Sequence, residues 1–240
     1  VQVFPSDLTF STCKHVTQDG VQQILTQIPG IAPQLEKFAR YMEAHPTKTL
    51  FLKQTEQGRG RNADKLAEPV GQFLGMPPRQ ARSAYYMPNA RRANGWTPLV
   101  FDYVVVKAKA SDKLSNIDPD IMAAAVDAAA RAHAVGDSSR FFSLRATYDA
   151  LVGESHAGLV NTWIHEIGHQ VHTWAELPQP PTTKALTRYS SANSYEWHAE
   201  HFTAWLLNRE RLAQWDEGIA LYFDKLIEDA IRSDRKPPNI

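Results

Sequence analysis

Five consecutive residues, His165-Glu166-Ile167-Gly168-His169, constrain this chain most tightly. On an α-helix, residues four apart share a face and stand about 6 Å apart along the axis, so two imidazoles can converge on one cation. Glu166 then points its carboxylate at a water on that cation, the arrangement of zinc peptidases. The surrounding pattern predicts a helix from Leu159 to Ala175, followed by a proline-rich break at Pro178–Thr183. Gly168 costs a helix interior about 1 kcal/mol relative to Ala, which predicts close packing beside the cation, against a sheet.

Catalytic zinc takes three protein ligands and keeps one open position. His172 lies one turn beyond His169, and spacing alone leaves it open as the third. A metzincin would need Gly and His where this chain has His172 and Ala175, so that subclass is excluded. The other source is a helix opening after Asn193 or Ser194 and carrying Tyr195-Glu196-Trp197-His198-Ala199-Glu200-His201-Phe202. Glu196 and Glu200 share a face there, and one can bind metal while the other accepts a hydrogen bond from a ligand histidine. His172, His198 and His201 are expected at the surface or supporting the ligands, with His198 or His201 within reach of substrate. Trp163, Trp174, Trp197 and Trp205 are expected in the core.

The run Ala185-Leu186-Thr187-Arg188-Tyr189, then Asn193, then Glu196 to Phe202, resembles the catalytic segment of the anthrax lethal factor and bacterial Pro-Pro endopeptidase family. The likeness covers Leu159 to Phe202 and departs at His198, where the family carries an aromatic residue. It implies a gluzincin-type site in which His165, His169 and Glu196 bind Zn²⁺. Glu166 is then the general base, and Glu200 the carboxylate behind a ligand histidine. Tyr189, seven residues before Glu196, becomes the hydroxyl that stabilises the oxyanion. It further implies a bacterial or phage-associated endopeptidase with narrow protein substrate choice, secreted or delivered as an effector or toxin. Two other readings stay open: a zinc-binding recognition or inactive domain, and a hydrolase acting on a non-peptide amide.

The rest of the chain predicts an α+β, helix-rich, zincin-like fold with a small mixed β-sheet packed on the motif helix and a helical C-terminal half. Helices are expected over Asp19–Ile28, Pro33–Ala44 and from an Asp118 cap to Gly136, with a last amphipathic helix carrying Ile219, Tyr222, Phe223, Leu226 and Ile227. Thr49–Leu52, Pro98–Ala108 and Arg140–Thr147 read as strands, the second covered on both faces. The first and third are the candidate edges along which a peptide could add as a further strand. Thr55–Lys65 and Pro77–Pro98 read as loop and turns, and Arg79, Arg82, Arg91 and Arg92 as a local basic patch, solvated or recognising an anion. Residues 1–54 are expected to be a helical region ahead of a metallopeptidase domain over 66–240; one compact domain over 1–240 fits equally.

Lys and Arg total 26 against 26 Asp and Glu, so there is no electrostatic reason to expect nucleic acid or an anionic membrane as main partner. The expected partner is a protein or peptide substrate. A lone cysteine, Cys13, excludes an internal disulfide framework and multi-cysteine metal clusters. No apolar run approaches the ~20 residues of a membrane-spanning helix, and no charged-then-apolar leader follows Val1, so the compartment stays open.

Overall fold

Strand patterning, helix caps and one shared core decide how the helices and sheet are arranged. The computed structural model describes residues 1–53, 56, 61–86, 93–99, 102–109, 112, 114–137, 141–153 and 158–234. Along the chain run β1 (Thr9–Ser11), α1 (Gln18–Gln27), α2 (Ala32–Ala44), β2 (Lys48–Lys53), α3 (Arg61–Asp64), α4 (Ala67–Leu74), α5 (Pro78–Tyr85), β3 (Gly95–Trp96) and β4 (Tyr103–Ala108). Five helices follow: α6 (Pro119–Ala134), α7 (Leu144–Val152), α8 (Gly158–Trp174), α9 (Ser194–Trp215) and α10 (Glu217–Arg232). The fold is α+β, with helix in the majority and a small mixed sheet.

The sheet has the order β1-β2-β4-β3, parallel except for the antiparallel β3. Successive side chains of a strand point to opposite faces, and here both faces are covered. Phe51, Val104, Val106 and Ala108 join the main core, while Leu50, Leu52, Tyr103 and Val105 join a second cluster with Val70, Ala81, Ala84 and Tyr85 of α4 and α5. The expected two-sided burial of the Val104–Val106 strand is therefore observed. The main core draws on residues from Val3 to Ala230, with Trp163 and Trp205 fully buried in it. Trp163 also donates its indole N–H to Thr49 Oγ1 at 2.8 Å, pinning α8 to β2. Among the described residues, no helix is long and apolar enough to cross a membrane.

Capping side chains set the helix starts. Asp118 Oδ1 accepts from the backbone N–H groups of Asp120 and Ile121, and Asn193 Oδ1 from that of Glu196. Asn208 leaves helical geometry (φ −157°, ψ 74°) inside α9, and its side chain recaps the second half by accepting from Arg211 N–H at 3.0 Å.

Several expectations need correction. Arg140 lies outside the described residues, and the rest of Arg140–Thr147 is not a strand. Ser143 Oγ accepts from Ala146 N–H at 3.1 Å and caps α7, in which Leu144, Thr147 and Tyr148 bury one face at helical spacing. Thr49–Leu52 is a strand but not an edge, since β1 and β4 flank it. Pro77–Pro98 contains α5 and the short β3, with residues 87–92 outside the described ones, and α3 and α4 start within or just after the expected loop at Thr55–Lys65. Arg82 pairs with Asp64 at 3.0 Å and stacks over Tyr85 and Tyr86; Arg91 and Arg92 lie outside the described residues.

Candidate metal centre

The helical repeat of α8 brings His165 and His169 to one face, and α9 crosses that face with Glu196 in its first turn. Asn193 holds this turn in place by capping it at the Glu196 N–H itself, at 2.9 Å. One ligand atom from each of His165, His169 and Glu196 lies within 4.8 Å of the others. Glu196 Oε2 stands 3.0 Å from His165 Nε2 and 3.6 Å from His169 Nε2. Tetrahedral zinc with bonds near 2.0–2.1 Å separates its ligand atoms by about 3.3 Å, a value these two distances straddle. The donor set of two imidazoles and one carboxylate therefore fits a zinc ion in both chemistry and spacing.

Glu196 and Glu200 sit one turn apart yet have different surroundings. Glu200 is buried, and its oxygens are engaged behind the ligand cluster, one of them on the far nitrogen of His165. Oε1 pairs with His165 Nδ1 at 3.1 Å; Oε2 accepts from Leu144 N–H at 2.8 Å and from Thr187 Oγ1 at 2.9 Å. Nδ1–H of His165 is then the donor to Glu200, which leaves Nε2 as the atom that faces Glu196 and could take a metal. Burial opposes a charged His165, but the hydrogen bonds to Glu196 and Glu200 outweigh it and push the imidazole up to about 10. Burial likewise opposes charge on Glu196, and its hydrogen bonds with His165 and His169 hold it well below the usual carboxylate range. A cation taking these atoms must displace a proton from His165.

Glu166 is buried on the sheet side of the pair, and burial raises its pKa against the opposing pull of His169 and His165. β3 presses directly on it: a Cβ on Gly95 would stand 2.6 Å from Glu166 Oε1, so only glycine lets this strand approach so closely. Tyr189 arrives on the turn before α9, anchored by its backbone N–H to Phe142 O at 2.9 Å. Its ring stacks on His165 (centroids 5.6 Å, planes 10° apart). Burial, then the Glu196 charge, push the phenol well above its ordinary range, so it remains a proton donor at neutral pH. His165, Glu166, Tyr189 and Glu200 border one open cavity of about 400 Å³ that continues between α7 and the first turns of α8.

The other three histidines of these helices are buried, away from both the surface and the cavity lining. His172 and His198 stack face to face at 3.6 Å. His172 Nε2 pairs with Pro178 O, His198 bridges Ser194 O and the Tyr222 hydroxyl, and His201 donates to Trp197 O while accepting from Leu186 N–H. Gly168 packs tightly as expected, but against α9 rather than the sheet: its missing Cβ would lie 3.0 Å from Ala199 Cα. Three contributors were not read from the sequence: Thr187, Gly95 and Asn161. Asn94-Gly95 signals a turn, with nothing local to reveal its pairing with Glu166. Asn161, four residues before His165, shares that histidine's face, and the helical period could have found it.

Comparison with protein-family models, curated proteins and solved structures returns no match for this chain.

Proposed function

We propose that this chain is a zinc-dependent endopeptidase of zincin-like fold, with His165, His169 and Glu196 as metal ligands. The observation that carries the reading is the convergence of these three ligand atoms, with His165, the buried carboxylate Glu166 and the protonated phenol Tyr189 all bordering one open cavity. Zinc, when bound, supplies a Lewis acid that polarises a carbonyl and acidifies a water. Glu166, made more basic by burial, takes the proton of the attacking water and hands it to the leaving amine. The Tyr189 hydroxyl donates to the oxygen on which negative charge develops. Glu200 fixes the tautomer and orientation of His165.

The substrate peptide lies extended against β3, the sheet edge beside Glu166, in place of the two edges expected from sequence. The lethal factor-like pattern at Tyr189, Glu196 and Glu200 supports a bacterial or phage effector acting on few proteins. The test is mass-spectrometric profiling of a peptide library with zinc-loaded protein and with Glu166→Ala. Cuts made by the intact protein and reduced at least 10²-fold by the substitution are expected. Equal cutting by both would remove Glu166 as the base; no cutting by either, at full zinc occupancy, would sink the endopeptidase reading.

A further inference from the structure

The cavity runs on past His165 and Glu166 to a side chain that peptide-bond chemistry does not use. Asn161 sits one turn before His165 on the same face of α8, about 6 Å along the axis, and borders the cavity. It is 1% exposed, yet neither its Oδ1 nor its Nδ2 has a hydrogen-bond partner among the described residues. A buried amide left unpaired opposes folding, and an apolar residue of similar volume would fill the position without that cost. Across the same cavity is Arg145 of α7, whose guanidinium packs over Gly158 at the start of α8 and faces Asp149 at 3.6 Å.

We infer that Asn161 and Arg145 form a specificity subsite for a carboxamide side chain, that of Asn or Gln, on the substrate residue flanking the scissile bond. This rests on the endopeptidase reading and adds the substrate class to it. The two orphaned atoms of Asn161 are one acceptor and one donor, so their complement carries one N–H and one C=O. A primary carboxamide provides both: its N–H donates to Oδ1, and its oxygen accepts from Nδ2 with Arg145 as a second donor. A carboxylate would satisfy Nδ2 but set its charge against Oδ1, and the Arg145 cation that would favour it already faces the Asp149 carboxylate at 3.6 Å; an aliphatic side chain would leave both atoms unpaired. Sites built to hydrogen-bond a substrate group discriminate strongly against analogues lacking it, for this reason.

Two readouts test the subsite, one without turnover. In ¹⁵N spectra of zinc-loaded protein, N-acetylglutamine methylamide is expected to shift one side-chain amide pair, absent from Asn161→Leu and from Asn161→Ala. N-acetylglutamate methylamide should shift it only at concentrations at least ten-fold higher. In peptide profiling, the ratio of kcat/KM for a Gln peptide over its Glu and Leu counterparts should fall at least ten-fold in Asn161→Leu. The melting temperature of that variant should equal or exceed that of the parent, because no hydrogen bond of the fold is lost. Equal response to the glutamate probe, an unchanged ratio, or a strongly lowered melting temperature in both variants would overturn the assignment. Absence of all peptide cleavage would count against the endopeptidase reading alone, since the amide-shift measurement still decides the subsite.

Discussion

Two carboxylates one helical turn apart, Glu196 and Glu200, differ in what the chain has placed around them. Glu196 faces two imidazoles across distances that suit zinc, whereas Glu200 is consumed by His165, Leu144 N–H and Thr187. Glu200→Gln keeps the shape but weakens the anchor of His165, and zinc affinity should fall about 10–100-fold, as read by competition with a chromogenic chelator. An unchanged affinity would show that His165 needs no carboxylate behind it. Tyr189→Phe should lower kcat by about 10²–10³ with little change in KM, because the hydroxyl acts on charge that develops only during reaction. A change confined to KM in steady-state kinetics would make Tyr189 a binding residue instead.

At the scale of elements, the site depends on how closely α8 and α9 approach. Gly168 lets the backbone of Ala199 come to 3.0 Å of where a Cβ would stand, and the neighbour in the way is main chain. Gly168→Ala should therefore force the helices apart despite the better helix propensity of alanine, destabilising the protein by about 1–3 kcal/mol in urea titration. Glu196 rides on α9, so zinc should bind more weakly in the same variant. A gain in stability would mean the gap closes without moving α9. The mistaken strand at Arg140–Thr147 belongs to this scale too. Phe142 and Leu144 alternate with Ser143 and Arg145 over too few residues to separate a strand from the first turn of a capped helix. Ser143 as cap and Glu200 as acceptor for Leu144 N–H decide it, and the second partner lies far along the chain.

For the whole molecule, buried neutral histidines tie stability to pH. Burial, more than any other effect, lowers His172 and His201 to about 4 each, from an ordinary value near 6.5. As pH falls from about 6.5 to about 4, the unfolded chain takes up these protons and the folded one does not, so stability declines across that window. His165, raised to about 10, adds no slope there, since both states carry its proton below 6.5. Urea midpoints measured in chelator between pH 7 and 4.5 should fall steadily, and less steeply in His201→Asn. A flat profile would mean these imidazoles are already charged in the fold.

What could be read from local order is what depends on periods of 3.6 and 2 and on caps. These include the motif helix with its paired histidines, the Glu196–Glu200 face, the Asp118 and Asn193 starts, and the two-sided burial of Val104–Val106. Each rests on neighbours within a few residues, whose geometry the backbone itself dictates. Tertiary structure alone decided that Leu144 N–H and Thr187 take up Glu200, that β3 and not β2 is the sheet edge beside Glu166, and that Asn161, without a side-chain partner among the described residues, borders the cavity. Those outcomes turn on contacts between segments dozens of residues apart. Burial and pairing there are properties of the packed assembly, and no local pattern encodes them.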